Sequence, residues 1–288
     1  MYTMLGPGAI SLKGYPLPEA IALAKGAGFE SVQFDVREAA ALIDERGIEA
    51  VRALFEDAEV RPAVWGLPVA YRDDAQLDGD LAALPRLARV AIDLGTPLAT
   101  AGIMPGSNDR PHDENLAWYV DRLRPIAEIL AREGCVLGLE FIGPKTFRSP
   151  FAHEFISTLG GTLDLARQIG TGNVGVLLDA WHLYTSGDSV EAMAGLRASD
   201  VVAVHVNDAP PGIPVDEQMD LVRDLPMETG VIDILGFMAR LAEIGYDGPV
   251  MPEPFLASLD DLASRDPVAA AKEAARTMRR LWAAAGLA

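Results

Sequence analysis

The sequence predicts an α/β protein of the (β/α)8 barrel class, and three observations carry the prediction. Short apolar runs recur along the chain, each followed by a longer stretch of helical amphipathic period, which is the form taken by repeated βα units. Eight such pairs fit within 288 residues, a length that suits a closed barrel of roughly 250 residues or somewhat more. Glycine stands where the helical patterns stop, at Gly28, Gly47, Gly95, Gly134, Gly170 and Gly245, as expected of the residue that best tolerates a left-handed backbone at a helix end.

The elements follow in order. The first unit is the strand Tyr2 to Ile10 with the helix Leu17 to Ala27, the second Ser31 to Val36 with Ala39 to Ala58, the third Arg61 to Trp65 with Leu81 to Leu94. Leu98 to Ile103 with Glu114 to Glu133 makes the fourth, Val136 to Ile142 with Gly161 to Ile169 the fifth, and Val174 to Asp179 with Val190 to Ala198 the sixth. Val201 to Asn207 with Ile232 to Ile244, and Pro249 to Pro254 with Pro267 to Ala285, complete the set. Several runs are apolar without alternation, which suits parallel strands covered on both faces. The structural rival is an open, doubly wound sheet, but Gly6-Pro7-Gly8 lacks the third glycine and the helix start of a dinucleotide fingerprint. No linker, charge block or change of composition divides the chain, so residues 1–288 are read as a single domain.

One connection is out of proportion. Asp208 to Gly230 carries four prolines and no clear period, and structureless connections beyond about 12 to 15 residues are usually functional or disordered. In a barrel this segment lies over the catalytic mouth.

Composition narrows the function. Lys and Arg number 24 against 42 Asp and Glu, a net charge of −18 with a pI near 4.5; such a surface repels phosphate backbones and argues against nucleic acid as a partner. Half the residues are hydrophobic and 23% are charged, enough for a large core and unlike a disordered chain. The single cysteine, Cys135, has no partner for an intrachain disulfide, and Met1 to Lys13 lacks the basic and apolar parts of a secretory signal, so a cytoplasmic protein is expected. Gly, Pro and charges interrupt every apolar run before the length of a membrane helix, so no membrane span is expected.

In a barrel the active site sits at the C-terminal ends of the strands, and four consecutive strand ends carry the residues for one. They are Glu140 in Leu137-Gly138-Leu139-Glu140-Phe141, Asp179 in Val176-Leu177-Leu178-Asp179, His205 in Val204-His205-Val206-Asn207-Asp208, and Glu253 in Val250-Met251-Pro252-Glu253-Pro254. Singly, each has an ordinary reading, as a helix N-cap, a solvated rim residue or a satisfied core histidine. Jointly they converge, because neighbouring strands aim them at one point. Carboxylates at the ends of apolar strands are costly to bury unless a cation or donors compensate, and a divalent ion does so. Three oxygens and one nitrogen rank Mn²⁺ or Mg²⁺ ahead of Zn²⁺, with Co²⁺ also suited.

Lys145 and Arg148, after the fifth strand, and Arg223 in the long connection are the cations best placed to meet an anionic group of a substrate. No phosphate-cradling glycine loop of the nucleotide type is present. Trp65, Phe34 and Phe255, at other strand ends, are candidate pocket walls or core.

With these residues the chain resembles the xylose-isomerase-like barrels of the sugar phosphate isomerase/epimerase type, which include ketose 3-epimerases, inosose-processing enzymes and the endonuclease IV branch. The resemblance covers most of the chain and is most specific in its second half. Glu140, Asp179, His205 and Glu253 match the family's metal quartet. Leu178-Asp179-Ala180-Trp181-His182 resembles its Asp-x-x-His element, whose second residue contacts substrate, and Arg223 looks like the arginine that follows the metal-binding histidine. Relatives often show a glycine-rich stretch where this chain has Pro226-Met227-Glu228-Thr229-Gly230.

The resemblance implies a carbohydrate or polyol substrate, one divalent ion and an isomerase or epimerase. The ion would stabilise an enediolate formed when a proton leaves the carbon beside a carbonyl. Glu140 and Glu253 would exchange the proton while also binding metal, His182 would hydrogen-bond a substrate oxygen, and Arg223 would reach the substrate; Lys145 is added as a substrate-binding residue on its charge and place alone. Relatives are commonly dimers or tetramers, which admits a homo-oligomer. A dehydratase of inosose or dehydroshikimate type is the alternative, because the same enediolate can expel a β-hydroxyl. An endonuclease needs a histidine-rich, multinuclear zinc site, and this chain has only His112, His153, His182 and His205. A non-enzymatic binding barrel is disfavoured by the intact quartet.

Overall fold

In the computed structural model, which describes residues 1–287, eight parallel strands close into a barrel. They are β1 (Tyr2–Leu5), β2 (Ser31–Phe34), β3 (Arg61–Gly66), β4 (Leu98–Gly102), β5 (Val136–Glu140), β6 (Val174–Asp179), β7 (Val201–Val206) and β8 (Pro249–Pro252). Each strand pairs with its neighbours in sequence, and β8 closes on β1 through Tyr2↔Pro249 and Thr3↔Val250. The barrel reading is borne out, and closure excludes the open sheet.

Burial explains the unbroken apolar runs. All residues of β7 and β8 are buried, because one face meets the helices and the other the lumen. Met4, Leu177, Ala203 and Met251, from successive strands of the barrel, form one cluster with Ala63 of β3, which is adjacent to none of those strands, so the cluster spans the lumen and fills it. The larger apolar layer lies between strands and helices and includes Leu5, Val32, Trp65, Leu137 and Leu178.

Two helical expectations are corrected. The helix expected over Ala39 to Ala58 is two helices, Val36–Arg46 and Ile48–Ala58, because Gly47 sits between them at φ 81° and ψ 156°, a backbone open to glycine. The first of them starts early because the Asp35 carboxylate caps it, accepting from the Arg37 N–H at 2.7 Å. The helix expected over Val190 to Ala198 does not form; two 3-10 turns, Val190–Met193 and Ala198–Asp200, flank Gly195, too short a stretch to propagate a helix. Short helices at Lys145–Arg148, Ala180–Thr185 and Ala257–Arg265 had no counterpart in the sequence pattern. The first strand also ends sooner than expected, at Leu5, where Gly6 and Pro7 turn the chain into a 3-10 turn and proline has no N–H for the ladder.

The long connection packs over the C-terminal end of the barrel. It holds one 3-10 turn, Val215–Glu217, and an antiparallel bridge between Asp208 and Asp224. Lys145 pairs with Asp216 at 2.5 Å and the Thr146 hydroxyl donates to the Gln218 carbonyl at 2.7 Å, tying the segment to the loop after β5. No helix among the described residues is long and apolar enough to cross a membrane.

Candidate metal centre

Strand register brings the quartet together. Asp179, the last residue of β6, pairs directly with His205 of β7, and His205 with Met251 of β8. Glu253 lies one step beyond β8, its N–H donating to the Val206 carbonyl at 3.0 Å. Glu140 ends β5 opposite Gly102. One ligand atom from each of Glu140, Asp179, His205 and Glu253 lies within 4.8 Å of all the others.

Asp179 serves two structures at once. Its Oδ1 accepts from the Trp181 N–H at 2.7 Å, capping the helix Ala180–Thr185, and from Asn207 Nδ2 at 3.0 Å. Its Oδ2 faces the cluster and accepts from Arg223 Nη1 at 2.8 Å. The ordinary reading of a strand-end aspartate as an N-cap is met by Oδ1, while Oδ2 is left facing the cluster, where the ligand reading needs it.

His205 Nδ1 stands 3.3 Å from Glu253 Oε2 and 3.4 Å from Glu140 Oε1. Neither contact has hydrogen-bond geometry, and both ring nitrogens and Glu140 Oε1 are buried without a hydrogen-bond partner. Each such group costs about 1 to 3 kcal/mol. The donor set fits a divalent ion: converging orphaned lone pairs, and three carboxylates whose charge exceeds that of the single guanidinium beside them. The electrostatics make the same demand. Burial by itself would raise the Asp179 carboxyl, but Arg223, His182 and His205 outweigh it and hold the group below the ordinary carboxylate range. Glu253 is likewise held low against burial by His205 and Arg223. His205, which burial would depress, is driven well above its ordinary value by Glu253 and Glu140.

The structure brings His182 and Arg223 to this cluster. Arg223 is 2% exposed; Nη1 donates to Asp179 Oδ2 and to Glu253 Oε2, each at 2.8 Å, and Nη2 to Asp220 Oδ1 at 3.1 Å. The guanidinium lies 4.9 Å from the Phe255 ring centre and 5.3 Å from that of Trp181. The His182 Nδ1 accepts from the backbone N–H of Gly143 at 3.2 Å. That bond assigns the remaining ring proton to Nε2, which lies 3.3 Å from Arg223 Nη2.

Lys145 is placed elsewhere. Its ammonium is half exposed and paired with Asp216 at the edge of the cover. Arg148 donates to the Gly143 carbonyl at 3.4 Å and to Ser157 at 3.2 Å, bracing the loop after β5. Trp65 is fully buried in the core, whereas Phe34 lines a cavity of about 490 Å³ formed by the loops after β1, β2 and β3. Sequence reasoning passed over Asn207, Gly143 and Asp220, each of which touches a cluster residue or its neighbour. The signal for Asn207 and Asp208 was two polar residues directly after an apolar strand.

A closed barrel with a buried carboxylate–imidazole cluster on its last four strand ends defines the class: a barrel protein with a candidate divalent-metal centre on its catalytic face. The chain belongs to the xylose isomerase-like TIM-barrel family, whose profile matches residues 21–281. Among curated proteins, an inosose isomerase of Halalkalibacterium halodurans is 22% identical over 80% of this chain and 79% of its own. An L-ribulose-5-phosphate 3-epimerase, UlaE, of Salmonella paratyphi C is 22% identical over 93% of this chain and 91% of its own. The solved structure of a xylose isomerase domain protein of Alicyclobacillus acidocaldarius superposes with a TM-score of 0.85 at 28% identity, covering 99% of both chains. The IOLI protein, solved with a bound zinc atom, superposes with a TM-score of 0.79 at 19% identity, over 99% of this chain and 98% of that one.

Proposed function

We propose that this protein is a metal-dependent isomerase or epimerase of a ketose, an inosose or a related sugar, working by proton transfer at the carbon beside a carbonyl. The observation that carries the reading is the convergence of two glutamates, Glu140 and Glu253, on the same nitrogen of the His205 imidazole, 3.4 and 3.3 Å from its Nδ1. Two carboxylates that share a centre yet come from separate strands can address one carbon from two sides, which is what removal and return of a proton require.

Glu140, Asp179, His205 and Glu253 would hold the ion. When bound, it supplies a Lewis acid that draws electron density from adjacent oxygens of a hydroxy-ketone or hydroxy-aldehyde and steadies the charge that grows as the proton leaves. Each glutamate has two oxygens, so one can serve as ligand while the other handles the proton. Asp179, fixed by Trp181, Asn207 and Arg223, has no freedom for proton work and acts as an anchor. His182 Nε2–H and Arg223 Nη2, two donors only 3.3 Å apart, favour an acceptor oxygen between them. A substrate carbonyl or hydroxyl fills that need, and His182 in this tautomer donates a hydrogen bond there. Three oxygen donors and one nitrogen suit Mn²⁺ or Mg²⁺, with Co²⁺ and Zn²⁺ as further occupants. The relatives named as acting on an inosose and on a ketose phosphate support the substrate class.

The test is proton NMR in D₂O with a panel of ketoses, inososes and ketose phosphates, the stripped enzyme being reloaded with Mg²⁺, Co²⁺ or Zn²⁺. Deuterium entering one carbon of a substrate as its isomer or epimer accumulates is the expected result. Release of water with formation of an unsaturated product would make the enzyme a dehydratase instead.

A further inference from the structure

We infer that Asp208 is a positioning residue for Arg223, the buried tie that holds the cover segment in the one arrangement that presents its guanidinium to the site. The inference rests on the reading that Arg223 serves the substrate. Asp208 follows His205 by three residues, at the start of the segment, and is completely buried. A carboxylate in such a place is expensive unless donors surround it, and here five backbone N–H groups do. Oδ1 accepts from Ala209 at 2.9 Å and from Val231 and Ile232 at 3.1 Å each. Oδ2 accepts from Thr229 at 3.0 Å and Gly230 at 2.7 Å. One side chain thereby joins the first residues of the long connection to its last.

The same residue also fixes the middle of the segment. The Asp208 N–H donates to the Asp224 carbonyl and the Asp224 N–H to the Asp208 carbonyl, both at 2.9 Å. Asp224 is the residue after Arg223. The guanidinium is thus set by a short path: β7, Asp208, the paired Asp224, Arg223. Nothing else of regular structure holds it, since the segment contains only the 3-10 turn Val215–Glu217, and Met219, Leu221 and Val222 beside Arg223 are exposed. An asparagine at 208 keeps the shape but turns one acceptor oxygen into a donor, so at least the Thr229 and Gly230 pair or the Oδ1 group faces N–H against N–H.

Three measurements test this. Trypsin reads the position of Arg223 directly, because a residue 2% exposed is cut only when its segment opens. Asp208→Asn is expected to be cleaved after Arg223 at least about tenfold faster than the parent, with cleavage elsewhere unchanged. Equal resistance, or faster cleavage at every site alike, overturns the proposal. In kinetics, Asp208→Asn and Arg223→Ala are each expected to lower kcat/KM by about tenfold or more, and the double variant to be no worse than Arg223→Ala alone. Multiplying losses overturn it.

Hydrogen exchange on the parent protein needs no variant and decides the matter if Asp208→Asn does not fold. The amides of Asp224, Thr229, Gly230, Val231 and Ile232 should be protected together, and exchange as fast as that of exposed Gly212 overturns the proposal. If Arg223→Ala leaves kinetics untouched, the substrate role of Arg223 fails, while cleavage and exchange still decide what Asp208 does.

Discussion

The backbone N–H of Gly143 donates to Nδ1 of His182 across 3.2 Å, and so fixes which ring nitrogen of the histidine faces the carboxylate–imidazole cluster as a donor. No side chain is tolerated at 143: a Cβ there would stand 2.3 Å from the His182 carbonyl oxygen, 2.7 Å from Thr185 Oγ1 and 2.8 Å from the Ser186 nitrogen. Gly143→Ala is therefore expected to push the loop away and release the imidazole, lowering kcat/KM by about tenfold or more while metal content stays stoichiometric. Nitrogen-15 NMR of the parent should show His182 protonated at Nε2. A parent spectrum with the proton on Nδ1 contradicts this account of the histidine.

Asp179 sits at the bottom of the cluster with both oxygens engaged. Asp179→Asn removes a negative charge and offers the ion an amide, so the variant should lose most of its metal and all detectable turnover. Elemental analysis checks it; a full equivalent of metal in the variant would take Asp179 out of the site.

Stripping the ion should also lower the melting temperature. A ligand that binds only the folded state stabilises it by mass action, and an ion held here would relieve the buried, unpartnered Glu140 Oε1 and one of the two His205 ring nitrogens. Calorimetry with chelator and then with each ion restored measures the effect, and a midpoint indifferent to the ion would mean that the cluster does not bind it.

Arg223 joins Asp179 and Glu253 through one nitrogen. Arg223→Ala should raise KM or lower kcat/KM by at least about tenfold, the size of losing a charge-assisted hydrogen bond worth roughly 1.5 to 3 kcal/mol. Unchanged steady-state constants would confine the arginine to holding the cover in place.

What the sequence made legible was whatever depends on local period and on strand ends. The strand Val174–Asp179 and the helices Leu17–Ala27 and Pro267–Ala285 fall where the pattern puts them, because their apolar spacing and terminal Gly, Asp or Pro are local signals. The quartet was legible for a related reason: in a barrel, successive strand ends must face one another. Arg223 was reached through resemblance. Gly143 and Asp208 were not, since one acts through a histidine 39 residues away and the other through backbone groups more than 20 residues away, and no periodicity encodes such meetings. Lys145, picked for its charge alone, turned to the nearest acid of the cover, Asp216.

The central claim is that Glu140 and Glu253 serve opposite faces of one substrate carbon, and exchange of substrate protons with D₂O by the single variants Glu140→Gln and Glu253→Gln, each loaded with metal, tests it most directly. Glutamine keeps an oxygen able to coordinate but cannot take up a proton. The account predicts that each variant exchanges the proton of one epimer only, with complementary stereochemistry, and that neither interconverts the two. Full interconversion by Glu253→Gln with metal bound would contradict it.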